Sequence, residues 1–248
     1  MIRFNSIVSI TLAVLLEFLL GLGFAIAQTG LAQTIKSNPP QPPNRGTPSN
    51  DDGTPATRGN CPKTDLSLRS IVPNTEAESP GFTLSEYPIF WFYVPYESDD
   101  ISQGILRIED REGNLHAQVS FILPQTPGFV SVPLQWIEKP LEKNKQYYWI
   151  FMLDCESPEF AEPDRDWQQG WIERVDRPDL EMQLQTATVE QRLDLYWENQ
   201  IWYDAPTNLV EIHQLSSTWR KLLQTVGMES YASEPIAGSV ELVEDEEP

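Results

Sequence analysis

Two cysteines, two histidines and 37 carboxylate side chains are the residues of this 248-residue chain with the most chemistry to offer. Cys61 and Cys155 are 94 positions apart (155 − 61). In an exported protein an isolated, even pair reads as a disulfide. The chain-entropy model gives about 4–5 kcal/mol of stabilisation for closing a loop of that length. His116 and His213 share no ligand spacing with each other or with the cysteines, so no zinc site and no cofactor is expected. Gly-x-Ser-x-Gly is absent, and neither histidine has a motif partner that would make it a base. Paired carboxylates can cleave glycosidic bonds. Candidates are Asp164 with Asp166 in "EPDRDWQQG", and Glu109 with Asp110 in "EDREGN", although so acidic a chain produces such pairs by chance. A calcium loop on the second pair would end on a bidentate Glu, and Phe121 occupies that place. No residue is therefore assigned as catalytic or metal-ligating. The stretch 156–170 reads as a loop longer than a hairpin needs, and long loops are often functional. Asp164, Asp166 and Trp167 are retained as binding candidates on that ground.

Aromatic residues supply the other chemistry. In "PIFWFYVPY", Pro88 to Tyr96, side chains of a strand would alternate: Phe90, Phe92 and Val94 to one face, Ile89, Trp91 and Tyr93 to the other. "QYYWIFMLDC" is a second run that is apolar on both faces. If the two strands are neighbours, Phe90, Phe92, Trp149 and Phe151 enter the core, and Trp91, Tyr93 and Tyr148 form an outer patch that demands a cover. The C-terminal helices, with Trp197, Trp202 and Trp219, are the favoured cover. A ligand with flat apolar faces, such as a sugar, is the alternative. Trp91, Tyr93 and Tyr148 join the binding candidates.

These side chains must be carried by strands. From Cys61 onward short apolar runs alternate with turn residues: "DLSLRSIV", "FTLSEYPIFWFYVPY", a hairpin turning at Arg111 to Asn114, "GFVSVPLQW", "QYYWIFMLDC" and "GWIERV". That spacing suits an all-β sandwich. Leu141, six residues before Tyr147, fits the tyrosine corner of such folds. After Arg177 the period becomes helical. Thr188 and Gln191 form a capping box, followed by Val189, Leu193, Tyr196 and Trp197 at helical spacing. Asp204 would cap a second helix with Pro206 in its first turn. "STWRKLLQTVG" carries the stripe Trp219, Leu222, Leu223 and Val226 and stops at Gly227. Tyr196, Trp202 and Ala205 match part of one tetratricopeptide unit, too little for a solenoid. "ELVEDEEP" reads as a disordered acidic tail. The expected fold class is mainly β with C-terminal helices (α+β): an immunoglobulin-like β-sandwich over 61–177, a short helical layer over 178–230, and an acidic tail over 231–248.

Arg3, the apolar run from Ile7 to Ile26 and the small-x-small Ala25-Ile26-Ala27 read as a signal peptide over 1–27, with Glu17 as its one internal charge. The Pro-, Asn- and Gly-rich stretch 28–60 reads as a disordered linker. The net charge of −20 argues against nucleic acid and against binding to an anionic membrane surface.

In order along the chain stand "GNCP", "FTLSEYPIFWFYVPY", "TPGFVSVPL", "LEKNKQYYWIF", "GWIERV", "ENQIWYDA" and "TWRKLLQTVGM". This series resembles a cyanobacterial family catalogued as a domain of unknown function, number 928, over about residues 61–228. The family usually has Gly at the position of Gln200 and commonly Leu at that of Pro206. The resemblance implies an extracytoplasmic protein, and it carries no activity and no site residues. The expectation is thus an exported, non-catalytic module, periplasmic or secreted, that binds or scaffolds an envelope protein. A carbohydrate-binding module using surface aromatics is the alternative, and an acid-pair glycan hydrolase the third reading.

Overall fold

A computed structural model describes residues 61–73, 80–156, 164–210 and 217–243. The expected leader and linker, residues 157–163 of the expected loop, and His213 lie outside them. β-branched and aromatic runs build the strands: β1 Arg69–Ser70, β2 Gly81–Thr83, β3 Ile89–Val94, β4 Ile101–Asp110, β5 Leu115–Ile122, β6 Gly128–Pro133, β7 Gln146–Cys155, β8 Asp164–Arg174, β9 Ile236–Ser239 and β10 Glu241–Leu242. They form a four-stranded sheet, β1-β3-β6-β9, and a six-stranded sheet, β10-β5-β4-β7-β8-β2. With β3 facing β7 across the core, the orders β1-β3-β6 and β5-β4-β7-β8 follow those of an immunoglobulin-like sandwich, to which β2, β9 and β10 are added. The tyrosine corner is present: the Glu142 N–H donates to Tyr147 Oη at 3.1 Å, beside a fully buried Leu141. Cys61 and Cys155 are joined in a disulfide.

Four expectations change. β3 and β7 are not neighbours but lie in opposite sheets, and their inward rows meet across the sandwich. Phe92 stacks on Phe151 with ring centres 3.8 Å apart, and Phe90 meets Trp149 edge-on at 5.7 Å. "FTLSEYPIFWFYVPY" divides at a turn, where Thr83 and Ser85 hydroxyls accept from the N–H groups of Ser85 and Tyr87. Its first part, β2, runs parallel to β8. Asp164 to Gly170 are strand rather than loop, because they pair residue by residue with β7, from Cys155↔Asp164 to Gln146↔Glu173. A polar segment becomes a strand when a long apolar neighbour offers its edge. The presumed tail also contributes: β9 runs parallel to β6 and β10 antiparallel to β5, with Val240 buried between them.

The helices are α1 Pro178–Thr186, α2 Val189–Glu198, α3 Asp204–Val210 and α4 Ser217–Thr225. α1, not anticipated, starts on a proline at its first turn, where the missing N–H costs nothing. α2 has the capping box of Thr188 and Gln191. Asp204 does not cap its own helix. Its carboxylate accepts from Thr83 Oγ1 and Leu84 N, both at 2.7 Å, and clasps the helical layer to the end of β2. Trp91, Tyr93 and Phe129, on the outer side of the four-stranded sheet, form one buried cluster with Leu193, Tyr196, Leu209, Trp219 and Leu222. Of the three tryptophans expected to cover that face, Trp219 is 1% exposed, whereas Trp197 is 44% exposed. No described helix is long and apolar enough to cross a membrane.

Candidate functional site

The outer face of the six-stranded sheet is built by β5, β4, β7 and β8. Side chains directly opposite each other in an antiparallel pair share a face. One outer row therefore reads Ser120, Ile105, Met152, Trp167. The next reads Gln118, Arg107, Ile150, Gln169, and a third Glu109, Tyr148, Trp171. Ile105, Ile150, Met152, Tyr148, Trp167 and Trp171 are all partly exposed, and none joins either buried cluster. The inward partners of these residues are Leu106, Phe151, Trp149 and Ile172, all fully buried, so the strand alternation leaves the outer rows no place in the core.

Gly170 fits this packing. A side chain there would meet Trp149 Cζ2 at 2.6 Å, because Trp149 is the residue paired with it on β7. Trp149 Nε1 donates to Tyr203 Oη at 2.5 Å, and the Tyr203 hydroxyl donates to the Trp171 carbonyl at 3.0 Å. The backbone that presents Trp171 is thus tied to the tyrosine of the "WYDA" segment.

Tyr148 and Trp171 lie ring to ring, 5.2 Å between centres, and the Tyr148 hydroxyl donates to Gln169 Oε1. Both arginines of the face are matched by carboxylates of the same face. Arg107 Nε bonds Glu109 Oε1 at 2.8 Å. Arg165 grips Asp154 with two nitrogens, Nε to Oδ1 and Nη2 to Oδ2.

The sequence candidates divide between the two outer faces and the interior. Trp91 and Tyr93 lie under the helical layer at 8% and 3% exposure. They are closed there by a bond from Trp91 Nε1 to Thr207 Oγ1 and one from Tyr93 Oη to Glu234 Oε2, each 2.9 Å. Tyr148 and Trp167 stand together on the open face of the other sheet. Asp166 points inward at 6% exposure. Its Oδ2 accepts from Tyr96 Oη at 2.6 Å and its Oδ1 from the Trp167 N–H at 2.9 Å. Burial pushes this carboxyl above its usual range, and those two bonds pull it back. Asp164 precedes it on the same strand face. Glu109 and Asp110 are engaged separately: Glu109 Oε1 accepts from Arg107, and Asp110 Oδ1 accepts from the N–H groups of Glu112 and Asn114 and shapes the hairpin tip. Trp171, Gln169, Ile105, Ile150 and Met152 were missed. Two signals could have found them: the spacing of Trp167 and Trp171, four apart and so on one face of a strand, and the two-sided apolarity of "QYYWIFMLDC".

Elsewhere, an open groove of about 400 Å³ between α1 and α2 is lined mainly by polar side chains, among them Gln183, Gln191, Asp194 and Glu198. Among the described residues no group of three or more His, Cys, Asp or Glu stands close enough to hold a metal.

Fold and face together define a two-sheet β module, with helices over one sheet and an aromatic surface on the other. The chain belongs to the family described as Domain of Unknown Function (DUF928), whose model matches residues 53–236. No curated protein matches it.

Proposed function

We propose that this protein is an extracytoplasmic, non-catalytic binding module that holds a component of the cell envelope against the outer face of its six-stranded sheet. One observation carries the reading: Trp167, Trp171 and Tyr148 stay partly exposed beside Ile105, Ile150 and Met152, although the chain has an amphipathic helical layer to cover apolar surface. Contiguous apolar surface of this kind marks an interaction site. Export is supported by the leader-like residues 1–27 and by the Cys61–Cys155 disulfide, since thiols are kept reduced in the cytosol. A non-catalytic role is supported by Asp166, whose oxygens are committed to Tyr96 and the Trp167 N–H.

Two measurements test the reading. N-terminal sequencing of the native protein should begin at Gln28; a chain beginning at Met1 defeats the export claim. In co-sedimentation with an isolated envelope fraction, the double substitution Trp167→Ala, Trp171→Ala should reduce retention at least tenfold, and Trp197→Ala on the helical layer should leave it unchanged. Equal retention of the double variant would remove the face from consideration.

A further inference from the structure

The geometry points to the occupant of this face: we infer that it is an uncharged polysaccharide chain laid along β8. The inference rests on the proposed binding role of the same face and adds its ligand class.

Charge is the first argument. The molecule carries −20 overall, yet at this face Arg107 is matched by Glu109 and Arg165 by Asp154. No unmatched arginine remains among these rows to attract an anionic glycan, a phosphate or an acidic peptide. A second copy of the chain would bring −20 against −20, which long-range repulsion opposes.

The layout of polar groups is the second. A protein–protein interface concentrates its apolar residues centrally and its polar ones at the rim. Here Ile150 shares the middle row with Gln118, Arg107 and Gln169, and along β8 it is Gln169 that stands between Trp167 and Trp171. Amide and guanidinium groups set between aromatic rings match a ligand whose flat faces are C–H and whose edges are hydroxyls. A pyranose ring has that form: its C–H face stacks on indole or phenol, and its equatorial hydroxyls meet the side-chain amides.

Spacing is the third. Trp167 and Trp171 are four residues apart on one strand, so their Cα atoms are separated by about 13 Å at the usual rise. That span takes in more than one sugar ring. A chain is therefore required, not a monosaccharide, with Tyr148 widening the platform beside Trp171.

The test is affinity gel electrophoresis of the full chain through gels containing hydroxyethylcellulose, xylan, galactomannan or dextran, with alginate as the anionic comparison. At least one neutral polymer should retard the protein. Trp167→Ala and Trp171→Ala should each weaken that retardation at least tenfold, Trp197→Ala should not, and alginate should have no effect. Far-UV circular dichroism and the unfolding midpoint of each variant establish that the fold survives. Retardation unchanged in the double variant, or seen only with alginate, overturns the inference. So does the absence of retardation by every neutral polymer. In that last case, loss of envelope retention in the double variant would keep the binding face and discard the glycan; unimpaired retention would discard both.

Discussion

Each of the two sheets turns a row of aromatic and aliphatic side chains outward, and the molecule treats the two rows differently. On β3, Trp91 and Tyr93 are sealed beneath helices and the carboxy-terminal turn. Their polar tips are satisfied by the covering segments themselves, Trp91 by Thr207 and Tyr93 by Glu234. On β7 and β8, Tyr148 finds its partner within the sheet, at Gln169, and the rings of Trp167 and Trp171 stay in reach of solvent. An aromatic whose tip bonds to another element is held there as core. Tyr148, bonded within its own sheet, is oriented there and stays partly exposed. The difference separates a face that holds the fold together from a face that, on the proposed reading, binds without unfolding anything.

The largest effect should come from the covered side. Trp219 is 1% exposed and meets Phe129 edge-on at 5.2 Å. Trp219→Ala should cost about 3–5 kcal/mol, as large-to-small core substitutions do, read as a lower denaturant midpoint at unchanged slope. A cost below about 1 kcal/mol would mean that the helices rest on the sheet without stabilising it.

The Asp204 clasp sharpens the same point through pH. Burial pushes its carboxyl up to about 6 from an ordinary 3.8, against the lowering effect of the bonds from Leu84 and Thr83. Between those two values the folded chain keeps a proton that the unfolded chain has released. Stability contributed by this group is therefore full below about pH 4 and lost as pH rises through 6. The difference amounts to about 2–3 kcal/mol. Asp204→Asn has no proton to lose, so wild-type stability relative to this variant should fall from pH 4 to 6 and level off above 7. A constant difference would show that the carboxyl is ionised throughout and that the joint between helix and β2 is open to water.

Gly170 lies where the two faces communicate. A methyl group there would press on the Trp149 ring at 2.6 Å, and that ring is fully buried and bonded to Tyr203. Gly170→Ala should cost about 1–3 kcal/mol, the usual range for overpacking, by urea unfolding. It should also shift β8 and weaken binding at the open face. A neutral result would mean that Trp149 can swing away and that the link from Tyr203 to Trp171 is not rigid.

How far these faces were legible from the residues depends on what each signal reports. Local periodicity located β3, β7, α2 and α4, and the Tyr147 corner, because each is written within a dozen residues. Pairing between distant segments is not written locally. β3 and β7 look alike in sequence, and nothing in either says whether they are neighbours or opponents. Asp164 to Gly170 have the composition of a loop and become strand only because β7 offers an edge. β9 was hidden by the acidic residues that follow it. The sheltering of Trp91 and Tyr93 was anticipated from their need for cover, while the same need at Tyr148 was assigned to the same face and belongs to the other. Gln200, the position at which the sequence resemblance implied Gly, adopts φ 60°. This is the left-handed region in which glycine is at ease, so the departure becomes intelligible only with the backbone in view.

The smallest effect on stability should come from Trp167, and that smallness is what distinguishes the two faces. Its neighbours in the row, Met152 and Ile105, are partly exposed like itself. Removing the indole leaves an open surface, not a cavity, so the cavity penalty that dominates Trp219→Ala has no counterpart. Trp167→Ala should change the unfolding free energy by about 0.5 kcal/mol or less, as surface substitutions do, while removing most of the binding. If Trp167→Ala instead destabilised the chain as much as Trp219→Ala, the indole would have to be buried in solution by some further part of the protein. The open face would then be a second core surface, and the division between a holding face and a binding face would collapse.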